Sequence, residues 1–349
     1  MTASIAPSSP AAKALAWFDR NARVLPWRAA PGAAVDPYRV WLSEILLQQT
    51  TTAGAAPYYA EFLRRWPAVA ALAAAPMEEV MSAFAGLGYY SRARNLHACA
   101  KSVAAAGGAF PADEAALRAL PGVGPYTAAA IAAIAFGQAT TPIDGNIARI
   151  VSRLAGFSTP IAANRREIEA FAKTLTPPRR AGDFAQALMD IGATLCRPRA
   201  PACLMCPLRA DCRAAASGDP EAFPGRATKK PRPEKVGAAF FAARPNGAFL
   251  ARRRPPKGLL GATMELPGGQ WLAGDLALIG PEEAPFAARW ARLPGRVEHV
   301  FTHFTLRLVL FYGQAPPNAP AGLAFIAPDE IECAGFSGLM RKAIAHARG

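Results

Sequence analysis

The stretch LPGVGPYTAAAIAAIAFGQATTPIDGNIAR, Leu120 to Arg149, joins a tight Gly-rich turn to an alanine-rich helix and then to a loop that carries an aspartate. Gly122 and Gly124 flank one apolar residue, so the backbone can turn sharply. Pro125 falls at the first helical position, where a missing N–H costs little. The spacing predicts a helix from Pro125 to about Phe136, preceded by a short one over Asp113 to Leu120. Peptide N–H groups are left pointing outward at the helix N-terminus, a ready site for a phosphate. This is a helix-hairpin-helix pattern suited to gripping a nucleic-acid backbone; a plain turn and cap is the simpler reading. The alanines of the helix body allow close approach of a neighbour. Asp144, in PIDGN, precedes helical spacing from Ile147 to Leu154 and can serve as an N-cap, a catalytic carboxylate or both.

Composition favours the nucleic-acid reading. The 349 residues hold 39 Lys and Arg against 25 Asp and Glu, a net charge of +14 that suits a polyanionic partner. Length and a hydrophobic content of 52% are enough for two cores. Apolar runs are interrupted well before the roughly 18 residues of a membrane span, and MTASIAPSSPAAKALAWFDR lacks the basic start and apolar block of a secretion signal. The expectation is a reducing compartment, the cytoplasm of a bacterial-type cell at the nucleoid, with no membrane partner. Monomer is the default.

Upstream, Asp36-Pro37 reads as N-cap and first residue of a helix over YRVWLSEILLQQT. Glu44 sits one turn from Val40, Trp41, Leu47 and Gln48, so its carboxyl faces a mostly apolar surround. Desolvation raises a carboxyl pKa, as a general acid at neutral pH requires; an exposed Glu between apolar ridges is the alternative. In GLGYYSRARNL, Tyr89 and Tyr90 follow a glycine turn beside Arg92 and Arg94, an arrangement that can stack on bases and hold phosphate.

Cys196, Cys203, Cys206 and Cys212 form C-x6-C-x2-C-x5-C. In a reducing compartment such density indicates a metal site, iron-sulfur or zinc, and the single C-x2-C hook with longer arms favours a [4Fe-4S] cluster. Arg197, Arg199, Arg209 and Arg213 interleave with these cysteines; Cys99 and Cys333 fall outside the pattern and read as buried thiols. The boundaries drawn are 1–216 for a helical region with its cysteine loop at 196–212, 217–235 for a Pro/Gly/Lys-rich linker, and 236–349 for an α+β domain of short alternating strands.

With these motifs in place, the chain resembles the helix-hairpin-helix DNA glycosylase superfamily, specifically its MutY-type adenine DNA glycosylases. PYRVWLSEILLQQT, GLGYYSRARNLH, LPGVGPYTAAAI, PIDGN and the four-cysteine loop carry the likeness, in this order and spacing. The resemblance implies a multidomain fold: an all-α six-helix barrel with a [4Fe-4S] subdomain, followed by a domain similar to the MutT (Nudix) fold. It implies a substrate, adenine opposite 8-oxoguanine or guanine in double-stranded DNA. Glu44 matches the catalytic acid and Asp144 the superfamily's aspartate. Tyr89 and the Gln48-Gln49 pair are implied as residues that wedge the duplex and fill the gap, Gln49 being the preferred of the two glutamines, with Gly122, Gly124, Tyr126 and Asn146 as further DNA contacts. Tyr126 stands where similar endonuclease III-type enzymes carry a lysine that attacks the sugar, so a monofunctional glycosylase is expected. Phe301, Thr302 and His303 stand where the family carries the Phe-Ser-His loop that reads 8-oxoguanine. GATMELPGG echoes a Nudix fold without its Glu-rich metal-binding helix, which implies recognition without nucleotide hydrolysis. A bifunctional pyrimidine-lesion glycosylase/lyase and a non-catalytic DNA-scanning module are the competing readings.

Overall fold

Gly122 adopts the left-handed φ of 73° that its turn demands, and a Cβ there would come within 2.6 Å of Asn95 Cβ. Both constraints select glycine. The computed structural model describes residues 8–29, 35–87, 91–226, 231–255 and 258–349. Helices span Pro10–Asn21 (α1), Pro37–Leu47 (α2), Thr52–Arg65 (α3), Val69–Ala74 (α4), Met77–Ala83 (α5), Ser91–Ala105 (α6), Glu114–Arg118 (α7), Pro125–Phe136 (α8), Gly145–Ala155 (α9), Arg165–Leu175 (α10), Ala181–Thr194 (α11), Arg213–Ala216 (α12) and Gly338–Arg348 (α13). Contacts divide the chain into two compact units, residues 1–75 with 95–228 and residues 76–94 with 229–349.

In the first unit, α7 and α8 form the hairpin, with Val123 buried between exposed Gly122 and Gly124. Helix α8 starts at Pro125 and ends at Gly137, whose φ of 65° lets Gly137 N and Gln138 N donate back to Ala133 O and Ala132 O. Residues Thr127 to Ala133 are all buried, and α2, α7 and α11 lie against this helix. A Cβ on Gly182 of α11 would sit 2.6 Å from Ala133 O, so the two backbones nearly touch. The close approach expected from the alanines is present. A core of Leu15, Phe18, Ile147, Val151, Leu154, Phe184, Leu188 and Ile191 joins α1, α9 and α11.

In the second unit, strands run over Glu234–Ala243 (β1), Phe249–Arg253 (β2), Met264–Glu265 (β3), Ala291–Arg292 (β4), Val297–Val300 (β5), Thr305–Gln314 (β6) and Ala324–Ile326 (β7). The sheet order is β3-β2-β1-β6-β4, with β5 also on β6 and β7 on β2. β1 and β6 pair in parallel from Glu234↔Thr305 to Ala243↔Gln314, and both strands are buried on both faces. One face packs Phe241, Leu306, Leu308 and Leu310 under α13; the other packs Phe240, Val309 and Phe311 around Trp290.

Several details differ from the sequence boundaries. Residues 76–94, assigned to the helical region, group with the C-terminal strands. Part of the expected linker, 217–226, is folded onto the first unit: Gly225 N donates to Ser158 O (2.9 Å) and Arg153 Nε to Phe223 O (2.9 Å). Cys99 is buried as expected, whereas Cys333 is exposed; its neighbours Ile331, Ala334 and Phe336 turn to the core and leave it at the surface. Between β3 and β4 the chain forms a 3-10 turn, Leu276–Leu278. Among the described residues no helix is long and apolar enough to cross a membrane.

Candidate active site

Helix α2 is launched by Asp36, whose carboxylate accepts from Tyr38 N (2.9 Å), with Pro37 at the first position. Every residue from Tyr38 to Leu46 except Arg39 is buried, which carries Glu44 to 6% exposure. Loss of water pushes the Glu44 pKa up to about 7, and the nearby Asp144 charge adds to the rise. Tyr126, at the second position of α8, donates its O–H to Glu44 and opposes that shift only in part. Tyr126 is itself held well above the usual phenol range by burial and by the two carboxylates.

Asp144 caps α9, with Oδ1 accepting from Ile147 N (2.7 Å) and Oδ2 from Asn146 Nδ2 (3.2 Å). Burial raises its pKa while these donors and Arg149 lower it. The cap and the half-buried carboxylate are therefore the same residue. Two acids thus share one site in different surroundings: burial raises the pKa of both, that of Glu44 to about 7, while at Asp144 the donors offset part of the rise. Asn146 is oriented by Arg149 Nη2, which donates to its Oδ1 (2.9 Å) and also to Gly192 O (2.9 Å), while Arg149 Nε donates to Cys196 O (2.8 Å).

Glu44, Gln48, Gln49, Tyr126, Asp144 and Asn146 all line one cavity of about 510 Å³. Gln49 holds a φ of 62°, a left-handed conformation rare for a side-chain-bearing residue and one that re-aims the chain at the end of α2. Gly122 and Gly124 stand outside the cavity on the exposed turn. Tyr89 and Tyr90 lie outside the described residues. In the second unit, Phe301 bridges β5 and β6 through Phe301 N to Phe304 O (2.8 Å); it is half-buried against Trp271, His299 and Phe304, which leaves Thr302 and His303 exposed.

Sequence reading missed much of the cavity wall. Arg23, Leu25, Trp27 and Arg28 line it, as do Gln186 and Met189 of α11. The segment Leu25-Pro26-Trp27-Arg28 follows the end of α1. A tryptophan between two arginines after a proline was the available signal.

The four cysteines occupy the turns after α11, built on 3-10 segments Cys203–Met205 and Arg209–Asp211. Cys196, Cys206 and Cys212 pack on the α1/α9/α11 core. Arg153 Nη1 donates to Cys196 Sγ (3.3 Å), and backbone N–H groups of Leu208 and of Ala214 and Ala215 point at Cys206 and Cys212. Burial pushes the Cys206 thiol up to about 11, and the other three cysteines add to it, so four thiolates require a cationic centre among them. Among the described residues no three His, Cys, Asp or Glu side chains close on a single ion. Arg197, Arg199, Arg209 and Arg213 are all exposed around the loop.

Residues 42–178 match the family model for HhH-GPD superfamily base excision DNA repair proteins, and residues 238–346 match a NUDIX domain. The adenine DNA glycosylase of Homo sapiens is 34% identical, over 94% of this chain and 72% of its own length. That of Mycolicibacterium smegmatis is 39% identical, over 59% of this chain and 69% of its own. Among solved structures, a thermostable thymine-DNA glycosylase superposes with a TM-score of 0.54 at 30% identity, over 59% of this chain and 95% of that one. With a hairpin, two acids on one cavity and a NUDIX domain in one chain, the protein belongs to the adenine DNA glycosylases of base excision repair within the HhH-GPD superfamily.

Proposed function

We propose that this enzyme removes adenine paired with 8-oxoguanine or guanine from duplex DNA and leaves the strand intact. The observation that carries the reading is the pair of carboxyls on one cavity, buried Glu44 with a pKa of about 7 and half-buried Asp144 held by three donors. A flipped adenine in this cavity receives the Glu44 proton at N7 as the N9–C1′ bond breaks, so the base takes the bonding electrons and departs neutral. The Tyr126 hydroxyl then stabilises the Glu44 carboxylate that remains. Positive charge growing at C1′ is met by ionised Asp144; water adds to C1′ and releases a proton that restores Glu44. Gln49, strained at the mouth, fills the gap left in the duplex, and the exposed hairpin glycines and arginines hold phosphate.

Tyr126 occupies the position at which a lysine would form a Schiff base, and a phenol cannot. A single-turnover reaction on a duplex with one adenine opposite 8-oxoguanine is therefore expected to yield strand breaks only after alkali. Breaks without alkali, trapped by borohydride as a protein–DNA adduct, would establish the lyase reading instead.

Cys196, Cys203, Cys206 and Cys212 suit a [4Fe-4S] cluster: four thiols, one for each iron, with N–H and arginine donors aimed at the sulfurs. Such a cluster supplies a covalent tie that fixes the arginine-bearing loop against α9. Oxidation turns guanine N7 from acceptor to donor, and Thr302 offers a hydroxyl acceptor on the exposed β5–β6 turn. Glu265, in the GATMELPGG stretch, is buried and tied to Arg252 and Arg254 rather than open to a metal ion, which supports recognition without hydrolysis. The enzyme acts as a monomer in the cytoplasm.

A further inference from the structure

Asp190 on α11 is fully buried, yet it touches none of the cavity. Its carboxylate takes four hydrogen bonds from one short segment. Arg28 donates in bidentate fashion, Nη1 to Oδ2 (2.6 Å) and Nη2 to Oδ1 (2.8 Å). Arg23 donates through its backbone N to Oδ2 (3.0 Å) and through Nε to Oδ1. Arg28 Nη1 also reaches Arg23 O (3.0 Å), and Arg28 N closes a turn on Leu25 O (3.0 Å), so the segment folds around the carboxylate as a small knot. Between these anchors, Leu25 and Trp27 face the cavity, with Trp27 edge-on to Tyr59 at 5.6 Å. Asp190 follows Met189, and Gln186 lies one turn back; both line the cavity, so one helix supplies a wall and fastens the opposing segment to it.

Arg23–Arg28 has no regular secondary structure of its own, and Val24 in its middle is 99% exposed. Nothing in its local sequence fixes it. We infer that Asp190 is a positioning residue that holds segment 23–28 as a rigid wall of the base pocket, and that this rigidity sets which base the enzyme accepts. Charge-assisted bidentate pairs supply both strength and direction, and here both guanidinium groups converge on one desolvated anion. The wall then rejects a base enlarged by a methyl group because it cannot give way.

The inference extends the adenine reading, and its test separates the two. Excision of adenine and of N6-methyladenine, each opposite 8-oxoguanine, is measured in single turnover for the wild type, Asp190→Asn and Arg23→Gln. Asp190→Asn keeps the size and removes the charge. It is expected to lower the adenine rate by about tenfold or more and to narrow the adenine to N6-methyladenine ratio by about tenfold, with unchanged affinity for a duplex carrying an abasic analogue. Arg23→Gln leaves the Arg28 pair in place and should shift the ratio in the same direction by less. A purely structural role lowers both rates alike. A wild-type ratio in folded Asp190→Asn overturns the inference; if that variant does not fold, an unmoved ratio in Arg23→Gln does so. A wild type inactive opposite 8-oxoguanine refutes the pairing proposal alone, and the same ratios are then read opposite guanine.

Discussion

Glu44→Gln is expected to lower the single-turnover rate of adenine excision by about 10²–10⁴-fold while leaving duplex affinity in place. The amide fills the same volume in the cavity, and its carbonyl still accepts from Tyr126. It has no proton to give to N7. Stability should move the other way. The Glu44 carboxyl has a pKa of about 7 in the fold against an ordinary value of 4.5, so the folded state holds its proton more tightly than the unfolded chain does. Its contribution is therefore full below the unfolded value and is lost as pH rises towards 7; above that, the ionised group costs the fold on the order of 3 kcal/mol. A neutral amide escapes this cost, so the variant should melt at or above the wild-type temperature in mildly alkaline buffer. Excision and thermal melts on one preparation check both halves. A catalytically active Glu44→Gln would remove Glu44 from the role of acid.

Asp144→Asn separates a cap from a catalyst. Asparagine caps helices as well as aspartate does, so Ile147 N keeps its acceptor and α9 keeps its start. What disappears is the negative charge facing the C1′ of the flipped nucleotide. Loss of a preorganised charge at a developing cation is expected to cost about 10²–10³ in excision rate, with the urea midpoint little changed. Arg149, which orients Asn146 beside Asp144, makes the same point about geometry: it spans from that amide to the carbonyl of Cys196. An unchanged rate in Asp144→Asn would mean that water attack needs no anionic partner here.

How much of this was legible in sequence depended on range. The hairpin was readable because Gly122, Pro125 and Gly137 each answer a local backbone demand, and Asp36 and Asp144 announce helix starts. Glu44 was readable because its burial follows from neighbours one helical turn away. The cysteine loop was visible as spacing alone, although the donors aimed at its sulfurs come from Arg153 on another helix. By contrast, the wall formed by Arg23 to Arg28 depends on Asp190, more than 160 positions away, and no periodicity encodes such a pairing. The grouping of residues 76–94 with the C-terminal strands was hidden for the same reason. Cys333 was misread because burial was inferred from residue type, whereas Ile331, Ala334 and Phe336 fill the core there and leave its own side chain at the surface.

The central claim is that a protonated Glu44 delivers the proton that expels adenine. The pH dependence of the wild-type single-turnover rate tests it most directly. The account predicts a rate that holds on the acid side of about pH 7 and falls about tenfold per unit above it, as Glu44 ionises. A rate that stays level or rises from about pH 7 to about pH 9 would contradict it, because an acid with this pKa would by then have lost its proton.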